Sequence, residues 1–162
     1  MSDQAFPTNP EPDSTARHIV IVASQYNPRF TDGLVNSAQA ELARLLPQAN
    51  IEIHRVPGAF EIPVVVEAVC QNSNPPDAVI ALGVIIRGST AHADLIAATI
   101  TDSLQRSALD HLIPVIHEVL LLDNEKQAEE RALGSQLNRG IESAQAAAAM
   151  LKVFAGLKNS NS

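Results

Sequence analysis

Aromatic and sulfur-containing side chains are scarce in this chain. Its 162 residues include no tryptophan and only one cysteine, and aromatic residues make up 3% of the total. Because 46% of the residues are nevertheless hydrophobic, we expect a core of aliphatic side chains. A single cysteine excludes an intramolecular disulfide and a zinc site with several cysteines. Cys70 lies in an apolar stretch, which favours a buried structural thiol over a nucleophile.

Positively charged residues are also few. The chain has 11 lysines and arginines against 18 acidic residues, and its formal net charge is −7. This balance argues against nonspecific binding to nucleic acid or to anionic membranes. No apolar run approaches the roughly 20 residues of a membrane-spanning helix, and the first residues lack the apolar middle of a secretory signal. We therefore expect a cytoplasmic protein that binds neither nucleic acid nor membranes.

A chain of this length suits one domain with a sizeable core. Residues 1–16 contain three prolines and little that could be buried, and residues 158–162 are polar. We predict a disordered N-terminal tail over residues 1–16, a single domain over residues 17–157, and a C-terminal tail over residues 158–162.

Strand and helix patterns alternate through the predicted domain. Strands are predicted over residues 18–24, 51–56, 77–86 and 114–122. Helices are predicted from about residue 31 and over residues 60–71, 91–110, 124–133 and 138–155. Three consecutive valines at residues 64–66 leave a strand open as an alternative to the second helix. The alternation predicts an α/β protein, a three-layer α/β/α sandwich with a four-stranded parallel sheet in the flavodoxin-like group.

Polar residues follow the most apolar of the predicted strands. Residues 87–92, Arg-Gly-Ser-Thr-Ala-His, stand at its carboxyl end, where open α/β sheets bind their ligands. Ser89 and Thr90, with the N–H groups of the next helix, could hold a phosphate, although both residue types also serve as ordinary helix caps. His92 is the best candidate for proton transfer, with a structural role as the alternative. The segment is neither a Walker loop nor a GxGxxG motif, so neither ATP nor NAD is indicated.

Other candidate site residues stand near further strand and helix ends. Tyr26 and Phe60 follow the first two strands, where their rings could bind a flat, polar heterocycle or simply cap the sheet. Arg131 and Arg139 are candidate anion ligands, with a solvated helix face as the alternative. The spacing of His92 and Asp94 is only a faint signal for a metal pair, and no further Cys, His or carboxylate residues cluster with them in the sequence, so we predict no metal site.

Four motifs occur in a fixed order along the chain. They are the aromatic-Asn loop at residues 25–27 with Thr31, VPGAFEIP at 56–63, ALGVIIRGSTAH at 81–92, and QAEER at 127–131 with NRG at 138–140. Together they resemble the motifs of the 6,7-dimethyl-8-ribityllumazine synthase family. The resemblance runs from about residue 17 to residue 157, and four ordered motifs are much more specific than any one alone.

The resemblance implies a reaction in riboflavin biosynthesis. In that reaction 5-amino-6-(D-ribitylamino)uracil condenses with 3,4-dihydroxy-2-butanone 4-phosphate, and phosphate and water are released. The resemblance implies neither a metal nor an organic cofactor. The residues that it implies for binding the pyrimidine substrate are Tyr26, Ala59, Phe60, Glu61, Val84, Ile85, Ile86, His117 and Arg139. Those that it implies for the phosphate group are Ser89, Thr90 and Arg131, and His92 would transfer protons.

The family builds its sites between neighbouring subunits of a pentamer, and in some members twelve pentamers form an icosahedral shell. The resemblance therefore implies a homo-oligomer, either a pentamer or a multiple of it. In that arrangement His117 and Arg131 would reach into the site of the adjacent subunit.

Several positions depart from the family's usual pattern. His117 stands where phenylalanine is common, and Leu121 and Leu122 stand where the family has threonines. Residues 133–137 also differ from the family's usual linker. These changes keep a second hypothesis open, a ligand-binding or shell-forming scaffold with weak catalysis. A third is the related archaeal-type riboflavin synthase, which acts on the lumazine itself.

Overall fold

The structure of the protein, a computed structural model, describes residues 10–159. Its strands are β1 (His18–Ser24), β2 (Asn50–Val56), β3 (Ala78–Ile86) and β4 (Val115–Leu122). Its α-helices are α1 (Pro28–Leu45), α2 (Ile62–Cys70), α3 (His92–His111), α4 (Glu125–Ala132) and α5 (Arg139–Asn159), and a short 3-10 helix (Ala59–Glu61) precedes α2. The three valines at residues 64–66 are therefore helical, and the strand alternative is wrong.

The four strands form one parallel sheet in the order β2-β1-β3-β4. The chain goes outward from β1 to β2, then crosses back to β3 on the other side of β1. This reversal makes the carboxyl ends of β1 and β3 a topological switch point, where open α/β sheets have a crevice for ligands. Helices cover both faces of the sheet, so the predicted three-layer α/β/α fold is confirmed.

Each face of the sheet has its own aliphatic core. On one face α1 and α5 contribute side chains such as Leu34, Leu42 and Leu151, and on the other α2 and α3 contribute side chains such as Val66 and Ile100. The two outer helices α1 and α5 pack closely. A Cβ atom on Gly140 would collide with the carbonyl oxygen of Leu34, so only glycine permits this approach.

The first helix begins at Pro28, three residues before the predicted start. Proline fits the first turn of a helix because its missing N–H needs no partner there. Asn27 precedes it in the left-handed conformation, with φ 54° and ψ 54°, which turns the chain sharply from β1 into α1. The prediction missed this start because the helical spacing of apolar residues becomes visible only later in the helix.

The structure describes parts of both predicted tails, at residues 10–16 and 158–159. Residues 10–16 contain neither helix nor strand, and the backbone N–H of Asp13 donates to the carbonyl oxygen of Leu45 over 2.8 Å. Helix α5 continues to Asn159, past the predicted boundary at residue 158. Residues 1–9 and 160–162 of the predicted tails lie outside the described residues. The division into tails and domain therefore stays a prediction.

Two further predictions concern burial. Cys70 is buried at the end of α2, and this burial raises the pKa of its thiol to about 11. The thiol is therefore protonated at neutral pH, as expected for a structural cysteine. Within residues 10–159, no helix is both long and apolar enough to cross a membrane.

Candidate active site

A cavity of about 390 Å³ opens at the carboxyl ends of β1, β2 and β3, beside the topological switch point. Most of the predicted site residues line it, namely Tyr26, Ala59, Phe60, Glu61, Val84, Ile85, Ile86 and His92. These residues come from three loops far apart in the sequence. The fold brings them together because parallel strands end at the same edge of the sheet.

Two aromatic side chains stand exposed at the mouth of this cavity. Tyr26 is 72% exposed and Phe60 is 57% exposed. A ring that only capped the sheet would be largely buried, so these exposures favour contact with a ligand or with another chain. The backbone behind Tyr26 is fixed, because the Thr31 hydroxyl donates to the Tyr26 carbonyl oxygen over 2.9 Å.

The loop after β2 brings a carboxylate to the cavity. Glu61 ends the 3-10 helix, and its side chain folds back over Gly58. A Cβ atom on Gly58 would lie only 2.8 Å from Glu61 Oε2, so the absence of a side chain there leaves room for the carboxylate. Gly58 and Glu61, in the segment between β2 and α2, thus place one carboxylate at the cavity wall. There it can accept hydrogen bonds from the hydroxyl groups of a ligand.

The end of β3 forms the floor of the cavity. Val84 is buried, whereas Ile85 and Ile86 are half-buried. The side chain of Asn27 reaches this strand, and its Nδ2 donates to the Val84 carbonyl oxygen over 2.8 Å. Strand β3 therefore offers main-chain groups and aliphatic surface to a ligand, at a position held from the start of α1.

His92 is the first residue of α3 and its side chain is exposed. Within residues 10–159, its imidazole makes no hydrogen bond or ion pair, so both ring nitrogens are available to a ligand. The preceding loop is also exposed, and the backbone N–H of His92 donates to Thr90 Oγ1 over a long 3.4 Å. The N-cap residue of α3 is Ala91, which has no side chain that could cap the helix, and neither Ser89 nor Thr90 lines the cavity.

His117, Arg131 and Arg139 do not line the cavity of their own chain. Arg131 lies in the last turn of α4, with Nη1 3.9 Å from Glu130 Oε2. Arg139 is buried at the start of α5 and forms an ion pair with Glu142. Their predicted contacts with substrate stay predictions.

The imidazole of His117 is held in one tautomer between β4 and α3. The backbone N–H of Val119 donates to Nδ1 over 3.1 Å, so the ring proton must lie on Nε2. From there it is donated to Thr101 Oγ1 over 2.8 Å, and the Thr101 hydroxyl donates in turn to the Ala97 carbonyl oxygen over 2.9 Å. Burial lowers the pKa of His117, which agrees with a neutral ring.

Three residues of the cavity wall were not among the predicted site residues. They are Asn27, Gly58 and Ile96. Ile96 lies four residues after His92, one helical turn away on the same face of α3, so helical spacing could have identified it. Within residues 10–159, no group of three or more His, Cys, Asp or Glu side chains is arranged to hold a metal ion.

Comparison with known proteins identifies the family. A sequence profile of the 6,7-dimethyl-8-ribityllumazine synthase family matches residues 16–155. The chain belongs to the 6,7-dimethyl-8-ribityllumazine synthase family. It is similar to a protein of that name from Nocardioides sp., with 38% identity over 149 residues that cover 91% of each chain.

Further lumazine synthases show the same degree of similarity. The one from Chlorobium phaeobacteroides is 42% identical over 135 residues, which cover 83% of this chain and 86% of the relative. The one from Leifsonia xyli is 40% identical over 148 residues, which cover 90% of this chain and 91% of the relative. The family resemblance of the four motifs is thereby confirmed across nearly the whole domain.

Proposed function

We propose that the protein catalyses the condensation of 5-amino-6-(D-ribitylamino)uracil with 3,4-dihydroxy-2-butanone 4-phosphate, as a step of riboflavin biosynthesis. The product is 6,7-dimethyl-8-ribityllumazine, and phosphate and water are released. Membership in the lumazine synthase family supports this proposal. The observation that carries it is the cavity at the switch point, which combines exposed aromatic rings with an imidazole at the start of a helix.

The cavity suits the pyrimidine substrate. Tyr26 presents a ring face on which a flat heterocycle can stack, and the end of β3 at residues 84–86 offers main-chain donors and acceptors to the polar edge of that heterocycle. Ala59, Phe60 and Glu61 surround the ribitylamino side chain, whose hydroxyl groups donate to the Glu61 carboxylate. In this arrangement the reacting amine points towards His92.

The chemistry requires proton transfer at several steps. The amine attacks the ketone and an imine forms with loss of water; phosphate then leaves, and ring closure releases further water. His92 accepts and returns protons in these steps, since an imidazole near neutral pH can do both. General acid–base catalysis of this kind contributes roughly 10²–10⁴-fold. Holding the two substrates together supplies much of the remaining acceleration.

The phosphate group of the second substrate is proposed to lie at the loop before α3. Ser89 and Thr90 are exposed there, and the N–H groups of the first turn of α3, which have no carbonyl partner within the helix, point towards the same place. Arg131 supplies the positive charge, because a guanidinium group pairs with phosphate oxygens through two parallel hydrogen bonds. No metal and no organic cofactor is part of this proposal.

We propose that the site is completed by a second copy of the chain in a pentamer or a multiple of it. His117, Arg131 and Arg139 lie outside the cavity of their own chain, so their predicted roles require a neighbour. Leu95, Leu109 and Leu112 are exposed along α3 and at its C-terminal end, and a neighbouring copy of the chain would cover this apolar surface.

The proposed reaction can be tested directly. Purified protein supplied with both substrates should form a fluorescent lumazine, and His92→Ala should lower kcat by roughly 10²–10⁴-fold. Because His92 is exposed, its replacement should leave the melting temperature unchanged. His54→Ala is the matched control, since this histidine lies on β2 outside the cavity.

Other results would favour the rival hypotheses. Tight binding of lumazine without turnover would indicate a scaffold, and conversion of lumazine alone to riboflavin would indicate a riboflavin synthase. Rates equal to the uncatalysed background for both wild type and His92→Ala would refute the proposed activity. The particle mass in solution tests the pentamer separately, and a monomeric but active protein would exclude shared sites.

A further inference from the structure

The guanidinium group of Arg87 lies between two carboxylates at the carboxyl end of the sheet. Its Nε and Nη2 atoms donate to Asp94 Oδ1 over 3.2 and 2.8 Å, and Nη1 donates to Asp123 Oδ1 over 2.5 Å. These hydrogen bonds lower the pKa of both carboxyl groups, which are therefore ionised at neutral pH. Two negative charges around one positive charge make Arg87 a poor phosphate ligand, although it stands two residues before Ser89.

The pair of Arg87 with Asp94 closes the loop that carries the candidate catalytic groups. Asp94 lies in the first turn of α3, two residues after His92. Between the paired residues the loop has little packing of its own, because residues 88–91 are exposed and a Cβ atom on Gly88 would meet no atom within 4 Å. The position of residues 88–92 therefore depends on the pair of Arg87 and Asp94, which closes the loop at its two ends.

The pair with Asp123 connects the same guanidinium group to α4. Asp123 follows β4, and its backbone N–H donates to Gln127 Oε1 over 2.9 Å. Gln127 Nε2 donates in turn to Asp123 Oδ2 over 3.2 Å. Gln127 lies one helical turn before Arg131 on α4. The series of hydrogen bonds therefore runs from the end of β3 to the helix that carries Arg131, the proposed ligand of the phosphate group.

We propose that Arg87 is a positioning residue of the condensation, which fixes the loop of Ser89, Thr90 and His92 relative to α4 by binding Asp94 and Asp123 at once. This inference rests on the proposed function. One chain is proposed to contribute the loop of residues 88–92 to its own site and Arg131 to the site of the adjacent subunit. Arg87 therefore connects, within one chain, residues that act in two different sites. The planar fork of the guanidinium group is needed, because an ammonium group cannot hold two carboxylates in fixed directions.

Steady-state kinetics with each substrate varied in turn tests this role. Arg87→Ala should raise KM for 3,4-dihydroxy-2-butanone 4-phosphate and lower kcat, each by about tenfold, because a displaced loop loses its alignment. The KM for the pyrimidine substrate should stay close to that of wild type. Amide hydrogen exchange of residues 88–92 should become faster, and Arg87→Lys should restore neither property.

Arg106→Ala is the matched control, because Arg106 is an exposed arginine of α3 paired with Asp102 one turn away. It should leave both KM values and the exchange of the loop unchanged. If Arg87→Ala does not fold, Asp94→Asn and Asp123→Asn replace it and should raise the same KM in smaller steps.

Two outcomes would overturn the positioning role. One is unchanged KM and unchanged loop exchange in these variants. The other is a loss of kcat with a lowered melting temperature and no change in either KM, which would indicate a general loss of folded protein. If wild type itself forms no lumazine, the proposed function fails, whereas the exchange comparison of wild type with Arg87→Ala still decides whether Arg87 orders the loop.

Discussion

The side-chain amide of Asn27 donates a hydrogen bond to the carbonyl oxygen of Val84 over 2.8 Å. This bond connects the residue before α1 to the buried residue Val84, two residues before the end of β3, across the topological switch point. Asn27 holds it from a left-handed backbone conformation, with φ 54°. The wall of the cavity behind Tyr26 is therefore fixed to its floor by one residue with an uncommon backbone geometry.

The backbone of Asn27 predicts a difference between two substitutions. Asn27→Gly and Asn27→Ala both remove the hydrogen bond to Val84, but only alanine is strained in the left-handed region. We expect Asn27→Ala to unfold in urea with a free energy about 1 kcal/mol below that of Asn27→Gly. Equal stabilities would show that the turn relaxes to another conformation when the hydrogen bond is lost.

The contact of Gly58 with Glu61 predicts an effect on substrate binding. The backbone of Gly58 is extended, with φ −134°, so alanine is not strained there, but its Cβ would displace the Glu61 carboxylate. We expect Gly58→Ala to raise KM for the pyrimidine substrate by about tenfold, the value of one lost charge-assisted hydrogen bond. The melting temperature should change little, because the end of a flexible side chain can move.

A double-mutant cycle checks that Gly58 acts through Glu61. Glu61→Ala alone should raise the same KM, and Gly58→Ala added to it should raise KM no further. Independent, additive effects of the two substitutions would contradict the proposed displacement of the carboxylate.

Much of the fold and half of the site follow from local patterns in the sequence. The sequence predicts strand β1 with its observed bounds, because four consecutive β-branched apolar residues form its centre. His92, which lines the cavity, is a candidate from sequence alone because it follows an apolar strand that ends in polar residues. Both signals lie within a few neighbouring residues, which a single sequence displays.

Features that depend on tertiary packing were not visible in the sequence. Arg139 and Glu142 are buried together in α5, whereas charged residues of a helix are expected to face solvent. The role of Arg87 depends on Asp123, which stands 36 positions away, and only the pairing of β3 with β4 brings them together. The strand order likewise required the complete sheet.

The half-buried imidazole of His117 predicts a stability change on the acidic side of neutrality. Burial lowers its pKa from the ordinary value of 6.5. As pH falls through 6.5, the unfolded chain binds a proton that the folded chain does not, so this residue lowers the stability of the folded state in acid. His117→Phe removes this contribution. In urea unfolding, the variant should gain stability relative to wild type as the pH is lowered from 7.5 to 5, and a constant difference would contradict a lowered pKa of His117.

The neighbouring Glu118, whose side chain faces the other side of the sheet, should act in the opposite direction, because burial disfavours the charged form and Glu118 is an acid whereas His117 is a base. Burial raises the pKa of its carboxyl group to about 7 from an ordinary 4.5; Arg139 opposes the shift and Glu142 adds to it. Between these pH values the folded chain retains a proton that the unfolded chain has released. The stability that Glu118 contributes is therefore present in acid and is lost as pH rises through 7.

Glu118→Gln imitates the protonated carboxyl group at every pH. At pH 8 we expect the variant to exceed wild type in free energy of unfolding by about 1–3 kcal/mol, and at pH 4.5 the two should be nearly equal. Glu125→Gln is the control, since this glutamate is exposed in the first turn of α4. Urea unfolding at the two pH values measures the difference. A variant less stable than wild type at pH 8 would mean that the electrostatic attraction of Arg139 outweighs the cost of burying the charge of Glu118.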